Sequence, residues 1–318
     1  MIALSQSFRM GTGNIEHNLR ITKGRGMRQN GVMERRHMNE LLTEIDTSDN
    51  LVCKVVEAEI GDRLAALNEH HIATGHPERV RTVKQWIETQ QYTRQGKRRP
   101  IVHEYVVSLG NKLTACPYEV ERDSHGNMLD VSGSVIPEWD TRHTPAYKDG
   151  VITESEVCTT AKDVYREFLT MFKRRNPNAR VICAVIHADE NGSAHMHISV
   201  VWINSIKNGV GIGLSKTSAM QQQYDLRGIT VGDSKQDNAQ NSWRVDMKLL
   251  LKKIAYTHGI EKLHMGNKEK YRTIEAYGSY MDARCAAIDK KEKELLEREK
   301  ILLKREKMLL KKEKALEY

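Results

Sequence analysis

Two short runs of Val and Ile dominate the hydropathy pattern of the chain, one ending at His187 and the other opening with His195-Met196-His197. They are rich in β-branched residues and a polar stretch containing Asn191-Gly192 lies between them, which predicts two strands, about 181–187 and 195–202, joined by a turn. Ile2 to Phe8 and residues 101–109 (Ile-Val-His-Glu-Tyr-Val-Val-Ser-Leu) read as further strands. Apolar residues at helical spacing predict helices over 33–46, 51–73, 78–93, about 154–174, Leu214 to Tyr224 and Trp243 to His258. Residues 111–150 are rich in Gly, Pro, Asp and Ser and read as a loop or hairpin insertion rather than core. The order strand, helix, strand, strand across the centre implies an α+β fold: an antiparallel β-sheet flanked by helices.

The C-terminal pattern is different. Residues 290–317 repeat every seven, with Leu295, Leu302, Leu309 and Leu316 one heptad apart. A long charged helix is expected over 276–318. If those leucines occupy d positions, the a positions hold Cys285, Glu292, Glu299, Glu306 and Glu313, which makes a weak seam. A homodimer through this helix and a solvated single helix both remain open. The expected organisation is a catalytic domain over 1–228, a helical extension over 229–275 and the tail.

Composition narrows the class. With 39% apolar and 29% charged residues over 318 positions, the chain has enough apolar side chains for a core and no run long enough to span a membrane. The first residues lack the apolar core of a secretory signal. Five scattered cysteines (53, 116, 158, 183 and 285) lack metal spacing, so free thiols in a reducing cytoplasm are expected. A net charge of +8 favours a polyanionic partner.

The candidate chemistry lies on the predicted hairpin. Side chains on a strand alternate faces, so His195 and His197 point the same way. Pairing of the two strands brings His187 beside them. Three imidazoles converging on a point can hold a zinc-, manganese- or iron-type ion and leave positions open for substrate. Glu190, in the same window, is open as a fourth ligand, a partner of a ligand or a base.

A second motif lies near the N-terminus: His17-Asn18-Leu19-Arg20, followed by Arg36-His37-Met38-Asn39. Together with His187-Ala188-Asp189-Glu190 and His195-Met196-His197, it resembles the Mob/Pre family, the MobV-type plasmid mobilisation relaxases or plasmid recombination enzymes, which are HUH-type endonucleases. The strand with Glu104 and the Leu214-Ser-Lys-Thr-Ser218 segment also fit, and the resemblance runs in order from residue 1 to about 275. Two features depart from the family pattern. The turn before His195 reads Gly192-Ser193-Ala194 where the family commonly has Thr-Pro, one residue longer, and the 111–150 insertion has no assigned role.

The resemblance implies a relaxase that nicks one strand at a plasmid origin of transfer, on supercoiled or single-stranded DNA, and stays linked to the 5′ phosphate. It implies Mn²⁺ or Mg²⁺ on His187, His195 and His197. No tyrosine precedes Tyr92, and the resemblance implies His17 as the nucleophile. Glu190 is then expected to hold the other ring nitrogen of His17, and Arg20 to bind phosphate. Arg25, Arg28, Arg35, Arg36, Asn39, the Arg94 to Arg99 cluster (Lys97, Arg98 and Arg99 within it) and Lys216 are candidate DNA contacts. The competing readings are an HUH-type replication initiator using a tyrosine such as Tyr224, and a non-catalytic DNA-binding or coiled-coil scaffold.

Overall fold

A computed structural model describes residues 2–10, 18, 33–43, 51–92, 96–111, 114–136, 144–190, 192–207, 209–234 and 237–261, with a few positions between 294 and 302. The chain divides into two compact units, Met1–Gly266 and Asn267–Tyr318. The described residues of the second, Glu294, Glu297, Arg298, Lys300, Ile301 and Leu302, are helical and exposed. The rest of the heptad segment, and with it the expected seam, lies outside the described residues.

In the first unit the strands are β1 (Ile2–Ala3), β2 (Gln6–Met10), β3 (Glu40–Leu41), β4 (Val102–Leu109), β5 (Ala179–His187), β6 (His195–Trp202), β7 (Asn204–Ser205), β8 (Ile212–Gly213) and β9 (Ile260–Glu261). The helices are α1 (Leu51–Ala73), α2 (Val83–Gln90), α3 (Glu156–Arg175), α4 (Lys216–Leu226) and α5 (Ala239–Thr257). Five strands form one sheet in the order β2-β4-β6-β5-β3, antiparallel as expected, with β3 added from a segment expected to be helical. β1 and β9 form a separate parallel pair. No helix among the described residues is long and apolar enough to cross a membrane.

The two faces of the sheet are covered differently. Phe8, Tyr105 and Trp202 lie on one face and pack against Phe168 and Phe172 of α3 and Trp243 of α5, with neighbouring ring centroids 4.8 to 6.3 Å apart. Such aromatic pairs contribute about 1 kcal/mol each beyond the area they bury. The other face is only partly covered. Val56, Ile60 and Leu64 of α1, one helical turn apart, pack there with Ile182 and Val201. The histidine end of the sheet lies on this second face.

β5 reaches both faces through a bulge. Val181 opposes Val200 and Cys183 opposes Ser199, so Ile182 is one extra residue on β5. Before it, odd-numbered residues face the aromatic layer; after it, Cys183, Val185 and His187 face the other way. Without the bulge, seating Val181 in the aromatic core would turn His187 away from the other histidines.

Four expectations are revised. The helix expected over 33–46 is a 3-10 segment, Met33–Met38, followed by β3. Glu40 and Leu41 pair with Ile186 and Val185, and Thr43 Oγ1 accepts from the Ala184 amide, so sheet pairing overrides the local helical pattern. The helix expected over 78–93 is split: Pro77–Arg79 forms a 3-10 turn, and Thr82 with Gln85 makes a capping box that starts α2 at Val83. The 111–150 stretch has the isolated bridges of a hairpin-like insertion, yet it also contributes Ala115, Cys116, Tyr118, Val120 and Met128 to the main core. α5, expected within an extension beyond residue 228, likewise buries Trp243 in that core.

Candidate metal centre

His187 and His195 are directly opposed across β5 and β6, and His197 lies two residues along on the same face. Their ring centroids are 4.8 to 5.5 Å apart, and one ligand atom from each lies within 4.8 Å of the others. Two nitrogens about 2.1 Å from a common ion are at most about 4.2 Å apart, so small side-chain adjustments close the cluster around one ion.

The hydrogen bonds set which nitrogen each ring presents. His197 Nδ1 donates to Glu104 Oε1 at 2.6 Å, His187 Nε2 to the Asn18 carbonyl at 2.7 Å, and His195 Nδ1 to the Ser193 carbonyl at 3.0 Å. An oxygen acceptor fixes the proton on the bonded nitrogen and leaves the lone pair on the other one. The nitrogens available to a metal are therefore His187 Nδ1, His195 Nε2 and His197 Nε2. His197 Nε2 is buried without a hydrogen-bond partner, as a nitrogen that takes a metal would be. The donor set fits a divalent ion.

The Glu190 carboxylate lies beside the same nitrogens, Oε1 3.9 Å from His187 Nδ1 and Oε2 3.7 Å from His195 Nε2. Asn18 links the N-terminal motif to the cluster: it is 1% exposed, its Nδ2 donates to Glu104 Oε1 at 2.5 Å, and its carbonyl holds His187. The turn between the histidine strands is held from outside the hairpin. Asn39 Oδ1 accepts from the amides of Ala188 (2.8 Å) and Asp189 (3.1 Å), and Arg35 Nη1 donates to the Glu190 carbonyl at 3.3 Å. The longer Gly-Ser-Ala turn thus leaves all three histidines on one face.

The sequence-predicted residues fall into three groups. His187, His195, His197 and Glu190 are brought together. His17, Arg20, Arg25, Arg28 and Arg94 lie outside the described residues. Lys97 and Arg98 are exposed, while Arg99 and Lys216 are half-buried near His103, at the far end of β4 from the histidines. Burial first, then the charges of Lys216 and Arg99, push the His103 imidazole down to about 4. Burial first, then Arg244, lowers the Lys216 ammonium from its ordinary value. Arg36 is half-buried in the 3-10 segment, and the Asn39 side-chain oxygen is engaged in the turn.

The tyrosines are placed unevenly. Tyr105 lies on the opposite sheet face from the histidines, fully buried, and its hydroxyl accepts from Trp202 Nε1 at 3.0 Å. Burial raises its ionisation above the ordinary range. Tyr224 is buried and donates to the Asp246 carboxylate, whereas Tyr92 is 54% exposed.

Residues 152–240, which carry all three histidines, match the sequence profile of the plasmid recombination enzyme family (Mob_Pre). Similar solved structures include the MobM relaxase domain (MOBV; Mob_Pre) bound to 22 nucleotides of plasmid pMV158 oriT DNA with a 3′ thiophosphate, Mn-bound. It is 16% identical, covering 87% of this chain and 99% of that one, with a TM-score of 0.34. The same domain on 23 nucleotides of oriT DNA, also Mn-bound, is 17% identical, covering 87% and 98%, with a TM-score of 0.32. No curated protein matches the chain.

Proposed function

We propose that this Mob/Pre chain is a metal-dependent relaxase. It nicks one strand of plasmid DNA at an origin of transfer and remains linked to the 5′ phosphate. The observation that carries the reading is the convergence of three oriented imidazole nitrogens within the family segment, with Asn18 of the His17-Asn18-Leu19-Arg20 motif hydrogen-bonded into the same cluster. Three neutral imidazoles with a carboxylate alongside suit Mn²⁺ better than Mg²⁺, which prefers an all-oxygen shell. When bound, the ion supplies neutralisation of the non-bridging oxygens of the scissile phosphate and stabilises the departing 3′ oxygen.

The chain's own groups do the rest. Glu104, Asn18 and the Ser193 carbonyl hold the three rings so that their lone pairs share one target. His17, the residue before Asn18 in the chain, is the nucleophile. Its neutral ring nitrogen attacks phosphorus as the P–O3′ bond breaks, the ring's other N–H proton passes to Glu190 and a proton from solvent reaches the departing oxygen, so the products are a phosphoramidate to the 5′ phosphate and a free 3′-hydroxyl. Glu190 accepts the other ring N–H of His17, and Arg20 holds a phosphate oxygen. The burial of Tyr105 and Tyr224, each with its hydroxyl engaged, supports histidine over tyrosine.

The test is incubation of the full chain with supercoiled plasmid bearing its cognate origin and Mn²⁺. We expect nicked circles and a protein–5′-phosphate adduct on His17, and His17→Ala should lose both while binding Mn²⁺ as before. An adduct on Tyr92 or Tyr224 would overturn the nucleophile assignment. No nicking with any divalent ion would overturn the relaxase reading in favour of a DNA-binding scaffold.

A further inference from the structure

We propose that the 111–150 insertion, through Arg35, positions the metal-binding turn. This rests on the reading of the three histidines as a metal site but not on any nicking activity. Arg35 is fully buried, which is unfavourable for a guanidinium unless specific contacts offset its desolvation. Its Cζ lies 4.5 Å from the ring centroid of Tyr118 and 5.9 Å from that of Tyr147, both contributed by the insertion. The two rings meet nearly edge to face, 5.0 Å apart and 70° inclined, so the guanidinium sits against the corner they form. Its Nη1 reaches out of that corner to the Glu190 carbonyl.

The geometry gives the insertion an indirect grip on the histidines. Residues 188, 189 and 190 are all held from one short segment: Asn39 takes the amides of the first two and Arg35 the carbonyl of the third. Arg35 and Asn39 are four residues apart, Arg35 inside the 3-10 segment Met33–Met38 and Asn39 immediately after it, its amide donating to the Arg36 carbonyl. Docking Arg35 on the two tyrosines therefore fixes the segment that fixes the turn. With its carbonyl held by Arg35, Glu190 keeps its carboxylate beside His187 and His195. Tyr118 and Tyr147 touch no ligand and act only as positioning residues.

The experiment compares Tyr118→Leu, which removes the aromatic face, with Tyr118→Phe, which keeps it, in the full chain. Two quantities are read: the dissociation constant for Mn²⁺ by calorimetry, and hydrogen exchange of the Ala188 and Asp189 amides without metal. Tyr118→Leu should weaken Mn²⁺ binding about tenfold and speed exchange at both amides by a similar factor, and Tyr118→Phe should stay within about twofold of the parent on both. Arg35→Met, which keeps the length of the side chain but loses its charge and donors, should reproduce the Leu phenotype and stands in if Tyr118→Leu does not fold. A folded Tyr118→Leu or Arg35→Met protein with parental Mn²⁺ affinity and parental exchange overturns the proposal, even if its unfolding temperature falls. A parent chain that binds no Mn²⁺ refutes the metal site instead, and the exchange comparison still decides the role of Arg35.

Discussion

A carboxylate in the middle of an apolar strand is unfavourable unless it is well paired, and Glu104 is only 3% exposed. It lies on the histidine face of β4 and accepts from His197 Nδ1 and Asn18 Nδ2. Its role is to fix the His197 tautomer and ring angle. Glu104→Gln keeps the shape but removes the charge, and should lower Mn²⁺ affinity by about ten- to a hundredfold, read by calorimetric titration. Unchanged affinity would show that His197 needs no such partner. The shared face of His195 and His197 was legible in the sequence because period-two alternation fixes it, and pairing of the two strands put His187 beside them; Glu190 lies past the end of β5, where alternation says nothing of its direction. The Glu104 contact was not, because strand spacing does not say which strand lies beside β6, although an acid inside Val-His-Glu-Tyr-Val-Val is itself a signal. His103, one position earlier, gives a pH prediction. Its folded-state value of about 4 lies below the ordinary 6.5, so the unfolded chain takes up the proton first as the pH falls. The associated stability is complete above pH 6.5 and lost progressively towards pH 4, about 3 kcal/mol over the window. Urea unfolding in chelator at pH 7 and pH 4.5 should show a smaller acid loss for His103→Gln than for the parent. Equal losses would remove His103 from the account.

Among the elements, the histidine hairpin depends on supports far from it in sequence. The Tyr165 hydroxyl on α3 accepts from the Leu109 amide and donates to the Ala194 carbonyl, both at 2.8 Å, tying the end of β4 to the residue before His195. Tyr165→Phe leaves two buried backbone groups without that partner and should cost about 1 to 3 kcal/mol in urea unfolding. A loss under half of that would mean that water or a shift of the turn replaces the hydroxyl. The Ile182 bulge and the 3-10 segment at 33–38 were not legible in the sequence. A bulge leaves hydrophobicity unchanged and alters only the face, while 33–43 owes its shape to the edge of β5, which local periodicity does not encode. The long helices α1, α3 and α5 were legible because the spacing of their apolar residues is local, as are the Ser155 and Asn238 caps of α3 and α5.

At the scale of the whole molecule, the compact unit runs to Gly266, past the boundary expected at residue 228. α5 explains why. Trp243 contacts Phe8, Tyr105, Phe172 and Trp202, and donates from Nε1 to Asn176 Oδ1 at 2.6 Å. β9 then returns to pair with β1, closing the two ends of the unit on each other. A chain cut after residue 228 loses the ring that joins β2, β4, β6 and α3, and should be insoluble or lack a cooperative transition, since truncating one buried Trp alone removes about 3 to 5 kcal/mol. A chain cut after Gly266 keeps every described group of the metal centre and its supports. It should unfold cooperatively and bind Mn²⁺ with the affinity of the full chain. Sedimentation of the two proteins at matched concentration also separates the readings of the heptad segment. A full-length dimer beside a monomeric 1–266 chain places the self-association in the tail, and two monomers leave it a solvated helix, as the Glu-filled a positions favour. Reduced Mn²⁺ affinity in the 1–266 chain would show instead that the tail supports the centre.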